Sequence, residues 1–276
     1  FCAVSIYGLL SLNAPAYFLL IGQGEYRLVG WGNLLMPKLR RVHFASIGWP
    51  DARLSPLSLD LADDLGGATD SVLWLRNGGG KSSILNLFFS TFRPGLSDFL
   101  GRAVEGQRRH LADYVAADDS AFVLTEWELD APSTDKRDAR TLVVGQSLEW
   151  RDRVKSADPS RLHRRFFSFF TDGALTWSAI PLQGLGEQPC TTQEAFVSWL
   201  RAHHAERPAR EVVVEDSQRK WGEHLLALGL DPELFHYQLK MNRREGAADE
   251  LFRFPTATAF VEFFIELTLD TARAGV

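Results

Sequence analysis

Cysteine is scarce in this chain, whose 276 residues carry only Cys2 and Cys190. Two thiols so far apart build neither a disulfide framework nor a cysteine-rich zinc site, and their scarcity fits a reducing, cytoplasmic setting. The neighbouring His203 and His204 point to different sides of a helix and lack a partner at metal-ligand spacing, so zinc is not expected there. Long apolar runs are missing too. The most hydrophobic early stretch, Tyr17-Phe18-Leu19-Leu20-Ile21, follows Asn13 and Pro15. It is short of the ~20 residues of a membrane span and has no basic region before it, as a secretion signal would. An excess of positive charge is likewise absent: a formal net charge of -5 excludes a uniformly basic nucleic-acid coat, although a local basic face is compatible with an acidic total. With 45% hydrophobic and 24% charged residues, the composition is that of an ordinary globular protein, long enough to bury roughly three quarters of its unfolded surface.

What is present is a concentrated glycine motif. Ser71-Val72-Leu73-Trp74-Leu75 reads as a short apolar strand; Arg76-Asn77-Gly78-Gly79-Gly80-Lys81-Ser82-Ser83 follows, and then an amphipathic segment carrying Ile84, Leu85, Leu87, Phe88 and Phe89. Strand, glycine loop and helix in that order are the layout of a phosphate-binding loop. Only glycine lets a backbone wrap a polyphosphate closely in left-handed conformations. The helix beginning near Lys81 would aim its N–H groups and the positive end of its dipole at the same anion. Lys81 is placed to reach the β- and γ-phosphates, Ser82 to set its hydroxyl on Mg²⁺, and Ser83 to support a phosphate or cap the helix. Where the general pattern has its first glycine, this chain has Leu75. A plain glycine-rich strand-to-helix turn with a solvated lysine is the alternative reading.

Around this motif the pattern is legible as alternating strands and helices. Residues 1–35 read as an N-terminal extension or misplaced start, poorly packed, with Met36 and Pro37-Lys38-Leu39-Arg40-Arg41 resembling a natural beginning. Period-two alternation predicts strands at 39–47 and 54–61, separated by a turn at Gly48-Trp49-Pro50-Asp51. A helix from Lys81 is expected to stop before Pro94-Gly95, and 96–117 reads as helix and loop. Strands at 121–129 and 140–150 make a hairpin; a second pair is expected at 164–170 and 174–177, joined at Asp172-Gly173. Its phenylalanines read as core. Helices are expected at 192–204, capped by Thr192, and at 218–228, closed by Gly229. Val212-Val213-Val214 reads as extended, Leu234 to Leu239 as strand-like and ending beside Gln238, and Thr258 to Leu269 as a helix.

The order of these parts resembles the N-terminal head lobe of the ABC-type ATPases of the structural-maintenance-of-chromosomes (SMC) class and their RecF- and RecN-like relatives. The resemblance covers residues 38 to 276 and is carried by Arg76 to Ser83, which look like the family's Asn-Gly-x-Gly-Lys-Ser loop. It implies an α/β fold: a P-loop NTPase half-domain with a mixed sheet around the phosphate-loop strand and helix, an antiparallel β-hairpin subdomain and flanking helices over 36–276. It also implies ATP and Mg²⁺ as ligands, with Arg76, Asn77, Gly78, Gly79, Gly80, Lys81, Ser82 and Ser83 holding the nucleotide. Gln238, by position, is the family's Gln loop, touching Mg²⁺ and the attacking water.

Several departures bear on this resemblance, above all Leu75 where the family has the loop's first glycine. The Gly48-Trp49-Pro50 turn lacks the basic residue that often touches adenine in the family. No apolar run ending in Asp-Glu and no Ser-Gly-Gly signature follows the loop, so the catalytic carboxylate is not in this sequence. The family's plan supplies it from a C-terminal head lobe beyond a coiled coil of the same protein, with a head-head dimer closing over ATP. The implied activity is ATP hydrolysis coupled to DNA binding or processing, with accessory subunits, in chromosome maintenance, repair or defence. This segment alone is expected to bind nucleotide weakly and turn over little. The competing reading is a DNA- or protein-binding module that docks through the arginine-rich segments 161–165 and 201–220 and keeps a vestigial loop. A P-loop kinase or GTPase would need a nearby acidic Mg²⁺ ligand and a base motif, which the sequence does not offer.

Overall fold

The computed structural model describes residues 37–54, 56–75, 79–95, 110–129, 141–235 and 258, together with the backbone of strands at 2–5, 19–22 and 25–28. Among the described residues there are three two-stranded pairs and one larger sheet. Strand β1 is Cys2–Ser5, and β2 (Leu19–Gly22) and β3 (Glu25–Leu28) pair with each other. The main sheet contains β4 (Lys38–Ala45), while β5 (Ile47–Trp49) and β6 (Ala52–Leu54) form a separate hairpin. Next come β7 (Leu57–Asp60) and β8 (Val72–Leu75). The long strands β9 (Ser120–Glu128), β10 (Thr141–Trp150) and β11 (Leu162–Phe170) follow, and β12 (Val213–Glu215) closes the series. Six of them form one antiparallel sheet in the order β12-β11-β10-β9-β4-β7. The architecture is therefore mixed α/β, built on this sheet and three helices: α1 (Lys81–Phe92), α2 (Gln193–Glu206) and α3 (Gln218–Ala227).

Both faces of the sheet are covered along β9 and β10, so their polar residues, Thr125, Glu126, Gln146 and Ser147 among them, are buried along with the apolar ones. One face carries Phe122, Leu124, Val143, Phe167 and Phe169, covered by Phe196 and Leu200 of α2. The Phe196 ring meets Phe122 at 5.1 Å and Phe167 at 4.9 Å between centroids, both edge-on. The opposite face receives α1, with Phe92 edge-on to Trp127 at 5.5 Å. On that face α3 also docks, its Trp221 stacked on Phe166 at 5.3 Å and 17°. Each of these fully buried side chains contributes roughly 1.5–3 kcal/mol by leaving water.

Helix boundaries follow local chemistry. Thr192 accepts from the Ala195 amide and Ser217 from the Lys220 amide, so α2 and α3 begin on side-chain caps. After α3, Gly229 takes φ 80 and Leu230 N–H donates back to Leu225 O at 2.9 Å, as in a glycine-terminated helix end.

Three expectations are corrected. Residues 174–177 do not pair as a strand; β11 lies between β10 and β12 instead. Asp172 Oδ1 accepts from the amides of Ala174 and Leu175, which closes a turn before a strand can begin, and Trp177–Ala179 is a 3₁₀ turn. The expected strand at 234–239 does not begin at Leu234: residues 232–235 are helical, with Asp231 Oδ1 accepting from Glu233 N at their start, and 236–239 lie outside the described residues. Finally, the phosphate-loop strand does not sit inside the main sheet. Among the described residues β8 pairs only with β1, antiparallel, with Cys2 opposite Leu75. The extension thus supplies a strand, although its packing and residues 96–109 and 259–269 lie outside the described residues.

The chain divides into two compact units, residues 1–230 and 231–276. Within the first, the sheet is tightest at Gly145, opposite Phe167 on β11 and Leu124 on β9. A Cβ there would lie 2.6 Å from Phe167 Cζ and 2.7 Å from Val123 O. Gly145→Ala is therefore expected to destabilise the protein by about 1–3 kcal/mol through overpacking, read as a lower urea midpoint with an unchanged slope.

Candidate functional site

The loop region starts from the end of β8. Leu75, at the position where a glycine was expected, belongs to the strand and pairs with Cys2, so the turn begins after it. Gly80 immediately precedes α1 with φ 86 and ψ 7, a left-handed conformation in which a side chain is strained. A Cβ at Gly80 would meet nothing within 4 Å among the described residues, so it is the backbone conformation and not crowding that favours glycine there. No side chain caps the first turn of α1 and no acidic residue lies in it. The positive end of the helix dipole is left without a local carboxylate. Lys81 Nζ donates to Leu75 O at 2.7 Å, which ties the amine to the base of the loop, between strand end and helix start. Ser82 is exposed, and Ser83 Oγ lies 3.5 Å from the Tyr114 hydroxyl. Tyr114 is in turn edge-on to Trp49 at 6.0 Å, so the β5–β6 hairpin approaches the same helix end.

The other end of α1 is held by donors from three elements. Arg164 on β11 donates through Nη1 to Pro94 O at 2.7 Å, through Nη2 to Ser90 O, and through Nε to Gln146 Oε1 at 2.7 Å. Gln146 on β10 passes the chain on through Nε2 to Ser90 Oγ at 2.6 Å and Thr91 Oγ1 at 3.1 Å. Trp221 Nε1 on α3 donates to Thr91 O at 2.8 Å. All three acceptors of Arg164 are neutral oxygens, and burial of the guanidinium pushes its pKa down to about 9, still cationic at neutral pH. The charge is matched by the negative end of the α1 dipole and by the Phe166 ring, whose centroid lies 4.7 Å from Arg164 Cζ.

Of the residues expected to hold nucleotide, the structure brings Gly79, Gly80, Lys81, Ser82 and Ser83 together at the start of α1. Arg76, Asn77, Gly78 and Gln238 lie outside the described residues. Tyr114, Gln146 and Trp221 were not foreseen, and Arg164 was expected only as part of the docking segment 161–165. An arginine and a glutamine in strands that become buried are a signal that polar groups need partners.

The arginines proposed for DNA docking are largely engaged within the protein. Arg165 reaches Glu194 at 2.7 Å and Asp216 at 3.4 Å, Arg207 and Arg210 each reach Asp172 at 2.9 Å, and Arg219 reaches Glu223 at 2.6 Å. The Arg210 guanidinium beside it, above all, holds the Asp172 carboxyl well below the usual carboxylate range. Among the described residues no helix is long and apolar enough to cross a membrane, and no cluster of three or more His, Cys, Asp or Glu could hold a metal ion. The chain matches no protein-family model, no curated protein and no solved structure.

A groove of about 480 Å³ opens on the α2 face of the sheet, lined by Arg40, Arg41, Ser58, Asp60, Glu126 and Trp177 among others. Arg41 bridges Asp60 at 3.0 Å and the buried Glu126 at 2.8 Å. Beside the groove, His43 is fully buried, with Nε2 at 2.9 Å from Gln183 O and Nδ1 at 2.7 Å from Ser58 Oγ. The carbonyl can only accept, so Nε2 carries the proton and the Ser58 hydroxyl donates to Nδ1. Burial lowers the pKa of both His43 and His224. Their stabilising effect is therefore complete above the unfolded value of about 6.5 and is lost as the pH falls below it. The urea midpoint is expected to drop between pH 7.5 and 5.5, and to drop less in His43→Gln.

Proposed function

We propose that this chain is the ATP-binding N-terminal lobe of an SMC-type ATPase head. The observation that carries the reading is the left-handed Gly80 at the mouth of α1, an uncapped first turn free of acid, and Lys81 held at the end of β8. Together these supply backbone donors, a dipole and a cation at one point, the arrangement that suits a triphosphate. Gly78 to Ser83 take the phosphates, Ser82 the Mg²⁺, and Gln238 reports on the γ-phosphate.

Among the described residues β8 pairs only with β1, and the acidic pair is left to the C-terminal lobe. On this reading the antiparallel sheet is the hairpin subdomain, and hydrolysis coupled to DNA waits for the second lobe and a second head. The internal pairing of the arginines argues against direct docking of DNA on the segments 161–165 and 201–220.

Lys81→Ala is expected to weaken binding of Mg²⁺·ATP at least about tenfold, as loss of one charge-assisted contact of about 1.5–3 kcal/mol requires. Calorimetry on both proteins decides it: equal, lysine-independent affinity sinks the assignment.

A further inference from the structure

We propose that Arg164 and Trp221 are positioning residues for the phosphate loop, acting from the opposite end of α1. The inference rests on the nucleotide-binding reading above and concerns how that same site is controlled. Helix α1 has no basic residue in its own last turn. Its terminal carbonyls are met from outside: Ser90 O by Arg164, Thr91 O by Trp221, and Pro94 O just beyond the helix by Arg164 again. The donors sit on β11 and α3, while Gln146 on β10 links the Arg164 fork to the hydroxyls of Ser90 and Thr91. Two of the three oxygens that Arg164 meets lie at or just beyond the end of α1, so its charge is best stabilised while the last turn of α1 stays in place.

The two ends of α1 are mechanically one object. A helix of 12 residues spans about 18 Å, so a tilt of about 3° at the gripped end moves the other end by about 1 Å. At that other end Gly80 and the first-turn amides are held by no side-chain cap, so their direction is inherited from the axis of the helix. The stack of Arg164, Phe166 and Trp221 therefore sets the aim of the phosphate-binding amides, and α3 becomes an element whose docking tunes nucleotide affinity.

The test measures Mg²⁺·ATP affinity by calorimetry on the full chain, well below the melting temperature, so that only folded protein is compared. Trp221→Phe keeps the aromatic stack and removes one donor; Arg164→Lys keeps the charge and loses the fork; Arg164→Met loses both. Phe196→Leu, in the core on the other face, is the stability control. Expected are a loss of about fivefold for Trp221→Phe and a larger loss for Arg164→Met, within the about 5- to 150-fold range of coupled sites. Arg164→Lys should fall between wild type and Arg164→Met, and Phe196→Leu should lower the melting temperature with affinity within about twofold of wild type. Should Arg164→Met not fold, Trp221→Phe alone decides. Wild-type affinity in Trp221→Phe and Arg164→Met, with binding still dependent on Lys81, overturns the positioning role and leaves nucleotide binding standing. Affinity that tracks melting temperature in all variants, the Phe196→Leu control included, overturns it as well. Lysine-independent binding by the wild type overturns both.

Discussion

The arrangement of this protein depends on a cation placed where water is excluded and no carboxylate answers it. Arg164 spends its guanidinium on two main-chain carbonyls and an amide oxygen. Such a desolvated charge is costly in isolation and tolerable only with every donor directed. The end of α1, strand β10, strand β11 and helix α3 must therefore all be in register at one place. Trp221 reinforces this from the side, stacked on the ring that Arg164 covers from above. A network of this kind specifies a single arrangement more than it adds raw stability.

The two faces of the sheet share one rule. On the α2 face, large aromatic and aliphatic side chains interlock around Phe196, while the buried Glu126 is held by Arg41 and the buried His43 by Ser58 and Gln183. On the α1 face, Thr125 Oγ1 donates to Val144 O at 2.8 Å and receives Trp127 Nε1 at 2.8 Å. On both, hydrogen bonds fix angles where dispersion contacts fix only distances.

How much of this was legible follows from what each signal measures. Helix α1 was readable from three glycines before it, Pro94 after it and apolar residues spaced for one face; α2 and α3 were readable from caps and Gly229. Strands β9 and β10 announced themselves by length and β-branched content. The failures are equally specific. Leu175 and Trp177 alternate as a strand would, yet the side chain of Asp172 closes the backbone into a turn and is clamped by Arg207 and Arg210. Asp231-Pro232-Glu233 held a helix-start signal, a capping aspartate followed by proline at the first position, that the apolar spacing after it obscured. Gly79 to Ser83 could be found because the loop chemistry is local. Arg164, Gln146 and Trp221 converge on α1 from up to 130 residues away, and no local pattern encodes that distance.

The ladder between β4 and β9 has one more consequence. These strands are neighbours, with Arg41 opposite Glu126 and Ala45 opposite Phe122, although residues 46–119 separate them in sequence. Strand β8, Gly80 and α1 therefore lie on one excursion of the chain, stitched shut at its base. In polymer terms it is a closed ring, whose ends have already lost the freedom to diffuse apart. Strand β1, from before the ring, and Gln146, Arg164 and Trp221, from after it, hold that ring from outside.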